Sequence, residues 1–291
     1  MDERIMKKLL WLTCMFVCIW PASTTPAAVH TFMKKRFVTY ISIPKCGTHL
    51  FRDLLERLYP NNRSICRKKA ETPVITPQPA LFFNPSNEEI IYNTRLNTCR
   101  NWLTHLMYTD EHATLLSDPD IIKFFIYRDP RDQIVSLAYF IKKDPRRWPG
   151  AVNVSLEDLI TDIIDGGQYT DGFPPTKNIA ELYAAYLSWM TCPDVCAVRF
   201  ENLVGPRGGG SAHAQDAEIR RIAAHLEITL SDEALATIAQ KLFGSNRAGT
   251  TFRKGQIGEW KTHFTAHHKK RVKELVGQLL IDLDYEKDFD W

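Results

Sequence analysis

Three short stretches, far apart in the chain, each combine cations with glycines or hydroxyls in a way that suits an anion. The first is Pro44-Lys45-Cys46-Gly47-Thr48-His49. It follows an apolar run and precedes a helical pattern, so its backbone N–H groups stand at a helix N-terminus, where the dipole favours negative charge. Gly47 lets a ligand come close, Lys45 adds a full charge and Thr48 a hydroxyl. The lysine precedes the glycine, so this is not the Gly-x-x-x-x-Gly-Lys-Ser/Thr loop of nucleoside triphosphatases. The second stretch is Arg128-Asp129-Pro130-Arg131-Asp132, continuing to Ser136. Arg128 leaves the end of a strand, where open α/β sheets place ligands. The third, Phe252 to Lys261, sets Arg253 and Lys254 beside Gly255 and Gly258, as a loop that closes over a phosphate would. Read singly, the second is also a capped helix with surface arginines, and the third a solvated basic turn.

Regular elements must carry these stretches. Phe37 to Ile43 is a β-branched and aromatic run that predicts a buried parallel strand. Leu50, Phe51, Leu54, Leu55 and Leu58 then repeat at helical spacing until Pro60. Ile121 to Tyr127 predicts a second central strand. Asp129 is placed as an N-cap, with Pro130 at the first helical position. A helix near Ala180 to Met190 and a strand at Ala197 to Phe200 make a third unit. Alternating strands and helices predict a single α/β domain with a mostly parallel sheet flanked by helices. Residues 60–100 and 142–178 are expected to form an acceptor rim, with Trp148, Phe173 and Tyr183 as core or platform. Gly205 to Ser211 is expected to be a flexible surface loop.

The 291 residues suffice for one large domain. With 37 basic against 34 acidic residues, the net charge of +3 offers no chain-wide attraction for nucleic acid or anionic membranes. Anion binding has to be local. Arg4, Lys7 and Lys8 precede the apolar residues 9–20, which are too few for a bilayer span of roughly 20 residues. A signal peptide or a signal anchor over residues 1–30 is expected, outside a domain at 31–291, with membrane contact only through 9–20. A true start at Met33 is the other option; export or anchoring follows from a leader, a cytoplasmic place from its absence. Of the 7 cysteines, Cys14 and Cys18 lie in that leader and the other five show no metal-ligand spacing; free thiols are expected, with a Cys66–Cys99 disulfide as the alternative in an oxidising compartment.

In order and at compatible distances, the three stretches resemble those of the cytosolic-type PAPS-dependent sulfotransferases. That family opens with Pro-Lys-Ser-Gly-Thr-Thr-Trp, has Arg-x-Pro-x-Asp-x-x-x-Ser after a central strand, and closes with Arg-Lys-Gly-x-x-Gly-Asp-Trp-Lys. The resemblance spans roughly residues 36–291. It implies a P-loop-like, nucleotide-kinase-like fold and 3′-phosphoadenosine 5′-phosphosulfate (PAPS) as sulfuryl donor, without metal. It implies that Lys45, Cys46, Gly47, Thr48 and His49 hold the 5′-phosphosulfate. Arg128, Ser136, Arg253, Lys254 and Gly255 would grip the 3′-phosphate, and Phe200 would stand where a tyrosine often touches adenine. His105, in Leu103-Thr104-His105-Leu106, would be the general base, with His49 as rival. Lys45 would stabilise the leaving oxygen, and Ser136 would hold Lys45 until an acceptor arrives. Small molecules and glycans are the acceptor classes, and no nucleic acid is implied. Departures are Cys46 for serine, Leu50 for tryptophan and Leu103 for lysine. Ala266 and Lys270 break the family's dimerisation stretch, so a dimer is not implied. Two rivals remain: a non-catalytic adenosine 3′,5′-bisphosphate-binding module and a nucleotide-kinase-like phosphotransferase.

Overall fold

The computed structural model describes residues 37–59, 85–91, 93–94, 101–145, 148–167, 176–244 and 252–291. The leader, most of the 60–100 rim, Phe173, Cys66 and Cys99 lie outside the described residues. Four strands, β1 (Phe37–Ser42), β2 (Asn101–Thr104), β3 (Ile121–Tyr127) and β4 (Val195–Arg199), form one parallel sheet in the order β2-β1-β3-β4. The chain leaves β1 to one side for β2 and returns on the other for β3. The carboxyl ends of β1 and β3 therefore bound a topological switch point, where such sheets bind ligands.

Ten helices are described: α1 (Thr48–Leu58), α2 (Asn87–Ile91), α3 (Asp110–Leu115), α4 (Pro130–Lys143), α5 (Leu156–Asp165), α6 (Ile179–Leu187), α7 (Phe200–Leu203), α8 (Ala212–His225), α9 (Asp232–Leu242) and α10 (Ala266–Asp282). α1 buries Phe51, Leu54, Leu55 and Leu58. The Phe51 ring meets Tyr40 of β1 and Phe124 of β3, with centroids 5.6 and 4.8 Å apart. Truncating such a ring to alanine costs about 3–5 kcal/mol. α4 begins as expected: the Asp129 side chain accepts from Arg131 N and Pro130 opens the helix. The first two of the three anion-suited segments thus hang from the two innermost strands.

Several expectations change. β2 had no counterpart in the sequence reading; it is a short edge strand that sets His105 at its carboxyl end. β4 runs from Val195 to Arg199, so Phe200 opens a helix instead of ending a strand. Trp148 and Tyr183 are buried core: Trp148 packs edge-on against Phe140, and Tyr183 Oη donates to Arg128 O at 2.8 Å. Cys46, Cys192 and Cys196 are free thiols. Gly205 to Gly210 is not a loose linker. Gly208 N and Gly210 N both donate to Gly205 O, and a Cβ on Gly208 would lie 2.7 Å from Gly255 O. That turn is a seat for the third basic segment. Among the described residues no helix is long and apolar enough to cross a membrane.

Candidate active site

Above the switch point lies a cleft with roughly 1070 Å³ of empty space, its open mouth included. It is lined by Lys45, Gly47, Thr48 and His49 from the first segment, and by Arg128 and Ser136 from the second. Arg253, Lys254, Gly255 and Gln256 come from the third, with Leu103, His105, Phe140 and Phe200 between them. Leu50, Val204, Leu242, Phe243 and Phe252 add an apolar wall.

The first loop is shaped by two left-handed residues, Lys45 at φ 72° and Gly47 at φ 100°. Non-glycine residues in that region cost about 1–3 kcal/mol and persist where surroundings impose them, often at functional sites. Gly47 has a second reason to be glycine: a Cβ there would lie 2.5 Å from the Phe200 ring. Phe200 thus packs under the loop, with the Arg128 guanidinium 4.2 Å above its face. Cys46 departs from the expected set. Its side chain is fully buried away from the cleft, with Sγ 3.9 Å from Tyr183 Oη, and its N–H donates to Ile43 O. Burial pushes the thiol up to about 12, so it stays a neutral core group.

Lys45 Nζ stands 4.0 Å over the Phe140 ring and makes no ion pair among the described residues. Burial, followed by Arg128 and Lys143, lowers its pKa to about 8. Ser136 lines the same cleft without a hydrogen bond to Lys45, whose ammonium rests on the Phe140 ring instead. His105 Nδ1 lies 2.7 Å from Ser42 O. A carbonyl only accepts, so Nδ1 carries the proton and Nε2 keeps its lone pair. Burial, assisted by Lys45, holds the imidazole below its ordinary pKa despite that bond. Its neighbour His49 is lowered to about 4 by burial, Arg52, Lys45 and His105. Ser42 also ties the loop down, its hydroxyl 2.7 Å from Thr48 Oγ1.

Carboxylates hold the cations on the other side. Arg128 Nη2 is 3.5 Å from Asp132 Oδ2 and donates to Gln256 O at 2.7 Å. Asp132, buried at the start of α4, accepts from Gly258 N at 2.8 Å and Trp260 N at 3.0 Å. One side chain thereby joins the second and third segments. Glu259 pairs with Arg253 at 2.9 Å and with Lys254 at 3.1 Å; those two cations outweigh the effect of burial and keep its pKa low. Arg253 also lies 4.2 Å over Tyr139. Asp132, Gln256, Glu259, Phe140 and Ser42 were absent from the sequence-based set.

The cleft thus brings cations to two sides of an apolar wall, beside a histidine whose tautomer is fixed. Known proteins agree in kind. A family model described as "Sulfotransferase domain" matches residues 36–284. Sulfotransferase 6B1 of Danio rerio is 26% identical over 258 residues, covering 82% of this chain and 77% of that protein. The crystal structure of mouse sulfotransferase SULT7A1 complexed with PAP superposes with a TM-score of 0.57 at 17% identity, over 87% of each chain. Retinol dehydratase in complex with androsterone and inactive cofactor PAP superposes with a TM-score of 0.54 at 16% identity, over 86% of this chain and 82% of that one. With the greater part of its length matched by that domain, the chain belongs to the sulfotransferase family.

Proposed function

We propose that the protein transfers a sulfuryl group from PAPS to a hydroxyl or amine of a small-molecule or glycan acceptor, with His105 as general base. The observation that carries this reading is the meeting of three separated segments in one cleft, lined by Lys45, Arg128, Arg253 and Lys254. PAP in both structural relatives supports a nucleotide bearing the same two anionic ends. Lys45, Gly47, Thr48 and His49 would take the 5′-phosphosulfate. Arg128, Ser136, Arg253, Lys254 and Gly255 would take the 3′-phosphate, arginine suiting a phosphate through its two-pronged donor edge. The base would lie on the apolar wall of Leu50, Phe200, Phe243 and Phe252, where Leu50 replaces a stacking tryptophan.

The chemistry is an in-line displacement at sulfur, in which positioning and electrostatics supply most of the acceleration. His105 Nε2 takes the acceptor proton as the new S–O bond forms. The bond from sulfur to the bridging oxygen breaks, and its electron pair stays on that oxygen, beside the Lys45 ammonium. The products are the sulfated acceptor and adenosine 3′,5′-bisphosphate. The test is transfer of labelled sulfuryl from PAPS to an acceptor library by the parent and by His105→Ala. Transfer by the parent alone supports the reading. Equal transfer by both discards the histidine, and retained nucleotide binding without transfer by the parent favours a binding module.

A further inference from the structure

The residues beyond the family match pack behind the donor side of the cleft. After α10 the backbone turns back, with Tyr285 N and Glu286 N donating to Leu280 O at 2.8 and 3.2 Å. Tyr285 Oη donates to Glu201 Oε2 at 3.1 Å, and Glu201 Oε1 accepts from Asp129 N at 3.0 Å, next to Arg128. Glu286 pairs with the buried Arg131, which also grips the Asp129 carboxylate. Trp291 meets Trp260 edge-on with centroids 5.4 Å apart. The Arg131 guanidinium lies over both rings, 4.1 Å from Trp260 and 4.5 Å from Trp291. Tyr285, Glu286, Trp291 and Arg131 do not line the cleft.

We propose that residues 285–291 are a positioning brace: they hold the Arg128 segment and the Arg253–Trp260 segment in register, so that the grip on the 3′-phosphate exists before the nucleotide arrives. The inference rests on the donor reading above. Its physical basis is preorganisation. Arg131 ties Asp129, the neighbour of Arg128, to Trp260, which closes the loop carrying Arg253 and Lys254. With Trp291 gone, one face of that guanidinium contact is lost, and the loop must be ordered at the expense of binding. The effect should fall on the 3′-phosphate and spare the remainder of the nucleotide.

The test uses the full chain with Trp291→Ala, Trp291→Phe and Glu286→Gln. Binding of adenosine 3′,5′-bisphosphate and of AMP is measured by calorimetry, and donor KM and kcat by transfer assay. Trp291→Ala should weaken bisphosphate binding about tenfold, the scale of a desolvated cation–π contact. AMP, which lacks the 3′-phosphate, should change by less than about twofold. Donor KM should rise while kcat holds, Trp291→Phe should recover most of the loss, and Glu286→Gln should reproduce a smaller selective loss. Equal weakening of both nucleotides, or unchanged bisphosphate affinity, would overturn the brace. If Trp291→Ala does not fold, Glu286→Gln decides by the same ratio. A parent that binds bisphosphate no better than AMP would instead sink the donor reading itself.

Discussion

The two cationic sides of the cleft are built on opposite terms. Arg128, Arg253 and Lys254 each face a carboxylate, Asp132 or Glu259, and their segments are joined where Arg128 donates to Gln256 O and Gly258 N donates to Asp132. Lys45 has no carboxylate among the described residues and rests on an aromatic face, its pKa lowered to about 8 mainly by burial. Pairing fixes geometry and keeps a charge in place, which is what ground-state binding needs. An unpaired, half-desolvated ammonium retains its field for charge that appears only as the leaving oxygen develops, and interactions stronger in the transition state are the ones that raise kcat. On the proposed mechanism, one side binds and the other reacts.

Substitutions can break that division or sharpen it. His105→Ala should lower turnover by about 10²–10⁴-fold, the range of a lost general base, with bisphosphate affinity unchanged by calorimetry. Lys45→Met should cost about 10²–10³ in kcat with a lesser effect on donor KM. Asp132→Asn should do the reverse: one of the Gly258 and Trp260 N–H groups loses its acceptor, at about 1–3 kcal/mol, and donor KM rises about tenfold while kcat holds. A fall in kcat alone would contradict the division.

The smallest effect concerns pH. The proposed mechanism requires His105 neutral and Lys45 charged, so rates should fall on the acid side only below the ordinary histidine range and on the alkaline side near 8. The Phe140 ring stabilises the charged lysine by about 0.5–2 kcal/mol. Phe140→Leu should therefore lower the Lys45 pKa and move the alkaline limb to lower pH by about 0.4–1.5 units. A move to higher pH would show that the ring does not hold the ammonium.

Much of this was legible in the residues. Two long apolar runs announced β1 and β3, and Asp129-Pro130 announced the start of α4. The first two anion-suited segments were placed where strands end, whereas the third was read only as a basic loop. What could not be read follows from the physics of the missing parts. β2 is four residues long and half-exposed, too short for periodicity to declare it. Cys46 sits inside the phosphate loop in sequence, yet the turn that brings Lys45 and Gly47 to the cleft rotates its side chain into the core. The linkages of Asp132 to Gly258 and of Arg131 to Trp291 join residues more than 120 positions apart, and no local pattern encodes them. Gly205 to Gly210 looked like a linker because glycines signal freedom. Here they signal close contact, the space between Gly208 and Gly255 being too small for a side chain.

The most direct test is a comparison of adenosine 3′,5′-bisphosphate and AMP binding to the parent and to Lys45→Met, Arg128→Ala and Arg253→Ala by calorimetry. The parent should prefer the bisphosphate by about 100-fold, two well-made phosphate contacts being worth about 1.4 kcal/mol each. Either arginine substitution should cut that preference roughly tenfold, and Lys45→Met should leave it intact. A parent with no preference, or three variants that weaken both nucleotides alike, would mean that the three segments do not clasp one molecule.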